Sequence, residues 1–125
     1  MLLSGGFNLG LFSKGDNRQK HQEQAREFLF DSEELEDTYG LLVDFVAFTS
    51  HRILFVDRSL LSKSRSVVVS IPYGKIEEIA IEKTGMFSFS NNIEIATKKE
   101  THALNFMKGS DVMGFYRKLS ERICR

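Results

Sequence analysis

Asp44-Phe45-Val46-Ala47-Phe48-Thr49, interrupted by Ser50-His51 and resumed as Arg52-Ile53-Leu54-Phe55-Val56-Asp57, is the stretch on which the fold turns. Two short apolar runs rich in β-branched and aromatic residues, parted by a polar break, read as paired strands with a tight turn. Toward the C-terminus the polar stretch Arg58 to Arg65 reads as a loop, and Ser66-Val67-Val68-Val69-Ser70-Ile71 as a strand. Pro72 ends it, because proline has no N–H to give a central ladder.

The β pattern continues. Ile79, Ile81 and Lys83 alternate and Gly85 marks an exit, after which Phe87-Ser88-Phe89-Ser90 alternates as a strand of its own. Asn91-Asn92 reads as a turn, Ile93 to Thr97 as another strand, Lys98-Lys99-Glu100 as a polar turn, and His102 to Met107 as the last strand. Strands this closely spaced predict a sandwich or a barrel.

The period then changes. Gly109-Ser110-Asp111 signals a helix start, with Ser110 placed to cap. Val112, Phe115, Tyr116, Leu119 and Ile123 follow as one apolar stripe. Arg117, Lys118, Arg122 and Arg125 crowd the end where the helix dipole prefers cations. Burying that stripe is worth on the order of 10 kcal/mol of gross hydrophobic stabilisation, so the helix is expected to plug the bent sheet.

Upstream, residues 1–15 are apolar and rich in glycine, and 16–30 turn polar and helix-friendly, with Asp16 or Asn17 as cap. The acidic run Asp31, Glu33, Glu34, Glu36, Asp37 reads as a solvated strand or turn leading into Tyr39. The expected division is an N-terminal apolar segment and short helix over 1–30, and one domain over 31–125.

Composition narrows the function classes. The 125 residues are 42% hydrophobic, enough to bury a core. Seventeen basic residues balance seventeen acidic ones, which argues against nucleic acid and against charge-driven membrane attachment. Cys124 is the only cysteine, so no internal disulfide forms. The opening MLLSGGFNLGLF lacks a positive start and is broken by glycines, unlike a secretory leader. No apolar run approaches the ~20 residues of a spanning helix. The expected compartment is the cytoplasm.

No catalytic residue, cofactor site or metal ligand is assigned. His21, His51 and His102 lack metal-ligand spacing, and no serine sits in a G-x-S-x-G elbow. Glu77 and Glu78 are neighbours in a strand-like segment and point to opposite faces.

The Phe48 to Asp57 stretch, in which Thr49 and Arg52 bracket a turn, resembles the bacterial pleckstrin-homology (PH) domain pattern. Ser70-Ile71-Pro72-Tyr73-Gly74-Lys75-Ile76 resembles the same family, and Glu82-Lys83-Thr84-Gly85, Leu104-Asn105-Phe106 and the final helix follow in its order. The resemblance covers roughly residues 33–125. It implies a mainly β, seven-stranded, strongly bent PH-like barrel or sandwich capped by one C-terminal α-helix, without established enzymatic activity. Ring-like assemblies are associated with the family.

The expected function is therefore a non-enzymatic protein-interaction module that self-associates into a closed homo-oligomer, with room for an unidentified protein partner. The apolar residues Phe7, Leu9, Leu11, Phe12, Leu41, Leu42, Phe87 and Phe89 are the candidate interface. The alternative is an anionic-lipid or inositol-phosphate binding module using the loop cations Arg58, Lys63, Arg65, Lys98 and Lys99. PH domains that hold inositol phosphates place cations around the first hairpin, whereas Tyr39 to Asp44 here reads YGLLVD and carries none.

Overall fold

The two apolar runs flanking Ser50-His51 become the centre of a four-stranded sheet in a computed structural model of the chain, which describes residues 15–42, 44–57 and 67–124. A short helix α1 (Gln19–Arg26) leads into β1 (Leu35–Gly40), β2 (Phe45–Thr49), β3 (Arg52–Asp57) and β4 (Val67–Pro72), paired in sequence order. A 3₁₀ turn (Tyr73–Lys75) then crosses to β5 (Glu78–Lys83), β6 (Phe89–Ala96) and β7 (Thr101–Asn105), the second antiparallel sheet. Helix α2 (Val112–Ile123) closes the described chain. The mainly β fold of seven strands and a capping C-terminal helix is as expected.

The acidic run, read as a solvated strand or turn, ends in β1 with Glu36 and Asp37, whereas Phe87–Ser90 and Ile93–Thr97 are not the two separate strands expected. Asn91 and Asn92 lie inside β6, and the turn falls at residues 84–88, where Thr84 and Gly85 N–H donate to the Ser88 carbonyl. Asn92 keeps its place in the strand because its side chain bonds across to Asn105 on β7, at 2.9 Å.

β2 is buried on both faces, which explains its continuous apolar sequence. One face enters the main core. The other carries Phe45 and Ala47, which pack with Leu54, Val56 and Ala25 of α1. Asp16 and Asn17, read as helix caps, do something else. Asp16 Oδ2 accepts from Gly40 N–H and Asn17 Oδ1 from Thr38 N–H, tying the segment before α1 to β1. Gly15 is required there, since a Cβ on it would lie 2.0 Å from the Thr38 carbonyl oxygen.

Among the described residues the two sheets meet on one side only. An isolated bridge joins Leu41 to Phe106, flanked by Leu42 N–H to the Asn105 carbonyl and Met107 N–H to that of Gly40. On the other side β4 and β5 do not pair, so the barrel is not closed. Helix α2 fills the middle. Phe115 sits 4.8 to 5.2 Å from the rings of Phe106, Phe48 and Tyr39, with Val112 and Leu119 buried beside it. The cap is Asp111, which accepts from Gly114 N–H, in place of the expected Ser110.

The cations of α2 have a job beyond the helix dipole. Lys118 Nζ lies 3.6 Å from Glu36 and 3.5 Å from Asp37, and Arg122 pairs with Glu36. Both acids belong to the run read as solvated, yet Asp37 is only 6% exposed. Glu33, also 6% exposed, accepts from Arg52 Nε and Nη2 at 2.8 Å each and from the Thr49 hydroxyl at 2.5 Å. Thr49 Oγ1 in turn accepts from Arg52 N–H, closing the β2–β3 turn. The threonine and arginine that carried the resemblance are thus the two ends of one buried carboxylate's shell.

Candidate interaction surfaces

The open side of the barrel forms a groove of about 530 Å³. Its floor is the unpaired edge of β4 with Val69, Ile71 and Pro72, and its far wall is the β6–β7 turn. That turn is built by Thr97, whose N–H donates to the Glu100 carbonyl and whose Oγ1 accepts from Lys99 and Glu100 N–H. The sequence-predicted cations Lys98 and Lys99 are thereby set on the rim together with Lys75, but Glu77 and Glu100 stand among them. The rim is mixed in sign.

A buried histidine backs the groove. His102 is 9% exposed, its ring edge-on to Phe55 at 5.3 Å and its Nε2 3.8 Å from Glu100. His21 stacks on Phe45 beneath α1, and His51 Nδ1 lies 2.8 Å from the Ser50 hydroxyl in the β2–β3 turn. The three do not converge, and among the described residues no group of three His, Cys, Asp or Glu is placed to hold a metal.

At the opposite end of the β5–β6–β7 sheet stands an apolar tip. The groove end is marked by Ala96 paired with Thr101, the tip end by Asn92 paired with Asn105 and by Phe106 N–H donating to the Asn91 carbonyl. Beyond it, in the tight β5–β6 turn, Met86 is 77% and Phe87 88% exposed. Phe89, at the base, is 41% exposed. Leu42, in the β1–β2 turn, is 72% exposed and lies at the same end, its N–H bonded to Asn105.

The candidate interface residues thus part company. Leu42, Phe87 and Phe89 are presented to solvent. Leu41 is a correction: it is 8% exposed and sits in the core, because the bridge to Phe106 turns it inward. Phe7, Leu9, Leu11 and Phe12, and the cations Arg58, Lys63 and Arg65, lie outside the described residues. Sequence reading missed Lys75, Met86 and the exposed Val67 and Val68 of β4. Only Met86 left a signal, being next to Gly85 where the chain turns.

Burial also acts on the tyrosines. It raises the Tyr39 phenol well above its ordinary range, with the negative charge of Asp37 adding to it. Burial raises Tyr73 likewise, against the opposing charge of Arg122; its hydroxyl donates to the Thr49 carbonyl at 2.7 Å. Both are held as neutral structural groups. Among the described residues no helix is long and apolar enough to cross a membrane.

A bent pair of antiparallel sheets, joined on one side, open on the other and plugged by a C-terminal helix, defines a PH-like scaffold. The family model for the bacterial PH domain matches residues 6–123, and the chain belongs to that family. It is 33% identical over 116 residues to the uncharacterized protein YozO of Bacillus subtilis strain 168, covering 93% of this chain and 99% of that protein. A second relative from the same organism, the uncharacterized protein YjqA, is 28% identical over 74 residues and covers 59% of each chain.

Solved structures agree on the fold. The PH domain from Shewanella amazonensis SB2B superposes with a TM-score of 0.68 at 22% identity, covering 89% of this chain and 91% of that one. A DUF1696 family protein with a PH domain from Shewanella loihica PV-4 gives 0.66 at 20% identity, covering 90% and 97%.

Proposed function

We propose that this chain is a non-catalytic interaction module that self-associates into a closed homo-oligomer. The observation that carries the reading is the open side of the barrel. Among the described residues β4 and β5 both end their sheets without a partner strand, and β4 exposes Val67 at 38% and Val68 at 37%. Unpaired strand edges with apolar side chains are commonly covered by association, and a closed ring leaves none uncovered. The N-terminal residues Phe7, Leu9, Leu11 and Phe12 belong to the same proposal as a second contact.

The test is sizing with light scattering on the full chain across a concentration series. A defined oligomer larger than a dimer supports the reading, and removal of residues 1–14 is expected to weaken it. A monomer at high concentration overturns it.

The lipid alternative draws on the same groove, where Lys75, Lys98 and Lys99 gather. Glu77 and Glu100 offset that charge, which favours a protein surface over a polyanion. Sedimentation with acidic vesicles separates the two readings. Binding that disappears on charge reversal of Lys98 and Lys99 supports the alternative.

A further inference from the structure

We propose that the cleft between α1 and the β1–β2 turn binds a small zwitterion, with a phosphate or carboxylate at one end and an ammonium group at the other. The cleft shares no residue with the open groove or with the edges of β4 and β5, so its occupancy and self-association are separate properties.

Three parts of the chain enclose about 290 Å³ there. Arg18, Lys20, His21 and Gln24 form the α1 side, Leu42 and Asp44 the turn, and Met107 the segment after β7. Asp16 and Asn17 bond to the Gly40 and Thr38 N–H groups, and Met107 N–H donates to the Gly40 carbonyl. The three walls are therefore tied to one strand, β1.

The α1 side suits an anion. Arg18 holds the N-cap position, where it has no side-chain oxygen to offer the N–H groups of the first turn, and no acid occupies that turn. The positive end of the helix thus borders the cleft beside two cationic side chains. Arg18 is loosely held, 3.8 Å from Asp16 with 57% of its side chain exposed, and Lys20 is exposed as well.

The same cleft calls for a donor. His21 is 8% exposed and has no hydrogen-bond partner at Nδ1, and Gln24 has none at Oε1. Buried polar atoms left in this way cost free energy until something bonds to them. The Gln24 oxygen can only accept, so what completes it must donate. An ammonium does so, and the Asp44 carboxylate on the same cleft favours it further.

Charge balance selects the class. Arg18 and Lys20 are offset by Asp16 and Asp44, so a polyanion gains little from the cleft as a whole. A molecule with both charges meets the cationic and the acidic side at once. Leu42 and Met107 cover the short chain between its ends.

Amide NMR on the full chain tests the site, with phosphoethanolamine and γ-aminobutyrate as probes. Saturable shifts are expected at the Gln24 side-chain amide and at the backbone amides of Lys20 and Leu42, with a dissociation constant of ~0.1–10 mM for ligands this small. Lys20→Glu is expected to weaken binding at least about tenfold through loss of a charged contact, with an unchanged thermal melt. Lys98→Glu, on the open groove, is expected to leave it as it was. Inorganic phosphate and butylamine, each carrying one of the two charges, are expected to bind at least about tenfold more weakly.

The absence of saturable shifts with both probes overturns the site. Binding that Lys20→Glu does not change overturns its placement, and inorganic phosphate binding as tightly as the probes overturns the zwitterion. Light scattering on the same samples reads the oligomer, and a monomer that still binds both probes overturns self-association alone.

Discussion

Glu33 and Arg52, nineteen positions apart, form a two-point ion pair at 2.8 Å on each arm, with the carboxylate side chain wholly buried. Arg52 also donates to the Ser70 hydroxyl of β4 and to the Phe28 carbonyl beyond α1. One guanidinium therefore fastens β3, β4 and the connection between α1 and β1. Removing either partner leaves a buried group uncompensated, which costs far more than an exposed pair is worth.

Arg52→Met is expected to lose about 3 kcal/mol of unfolding free energy, because Glu33 then stays buried without its partner. The double variant Glu33→Gln with Arg52→Met should lose clearly less than the sum of the two single changes. Urea unfolding measures both. Simple additivity would show that the pair is not coupled.

Acid should expose the same carboxylate. Burial pushes the Glu33 pKa up, but hydrogen bonds from Arg52, Thr49 and the Phe30 N–H outweigh it, and the pKa falls below its ordinary 4.5. The unfolded chain then takes up the proton first as pH drops. Stability from Glu33 is thus complete above about pH 4.5 and is lost as pH falls through the folded value. Glu33→Gln should lose stability less steeply than the wild type in that acid window, followed by thermal melts. Parallel curves would assign the acid sensitivity elsewhere.

Helix α2 should be indispensable. Phe115 is fully buried against Tyr39, Phe48 and Phe106, so Phe115→Ala is expected to cost about 3–5 kcal/mol. A chain ending at Gly109 should show no cooperative thermal transition and no near-ultraviolet dichroism. A folded truncation would refute the helix's role as plug.

Gly15→Ala is expected to cost at least about 1 kcal/mol, because the new methyl meets the Thr38 carbonyl and backbone must move. Gly74→Ala, with nothing within 4 Å, should be neutral within about 0.5 kcal/mol. Differential scanning calorimetry on the pair decides it, and equal melting temperatures would contradict the close approach at Gly15.

The exposure of Lys98 and Lys99 was legible, since a residue in a polar turn has few ways to be buried; Phe87, read in a strand, is exposed because it falls in the turn at residues 84–88. Leu41 was not legible. Whether a leucine in Gly40-Leu-Leu faces core or water depends on register, and Leu41 and Leu42 differ by one residue and by opposite faces. Position at opposite ends of one sheet is likewise invisible before the strands are paired.

By itself the sequence determined the strand run Asp44 to Asp57, the exposed glycine turn at Gly85 and the amphipathic helix from Val112 to Ile123, because periodicity and turn chemistry are local properties. Only the tertiary structure decided the fate of the acidic run. Five carboxylates in a row of seven positions look solvated, yet Glu33 and Asp37 are buried. Their cations, Arg52 and Lys118, come from distant parts of the chain. A charge's burial is set by what meets it in space, and no local pattern encodes a partner 81 positions away.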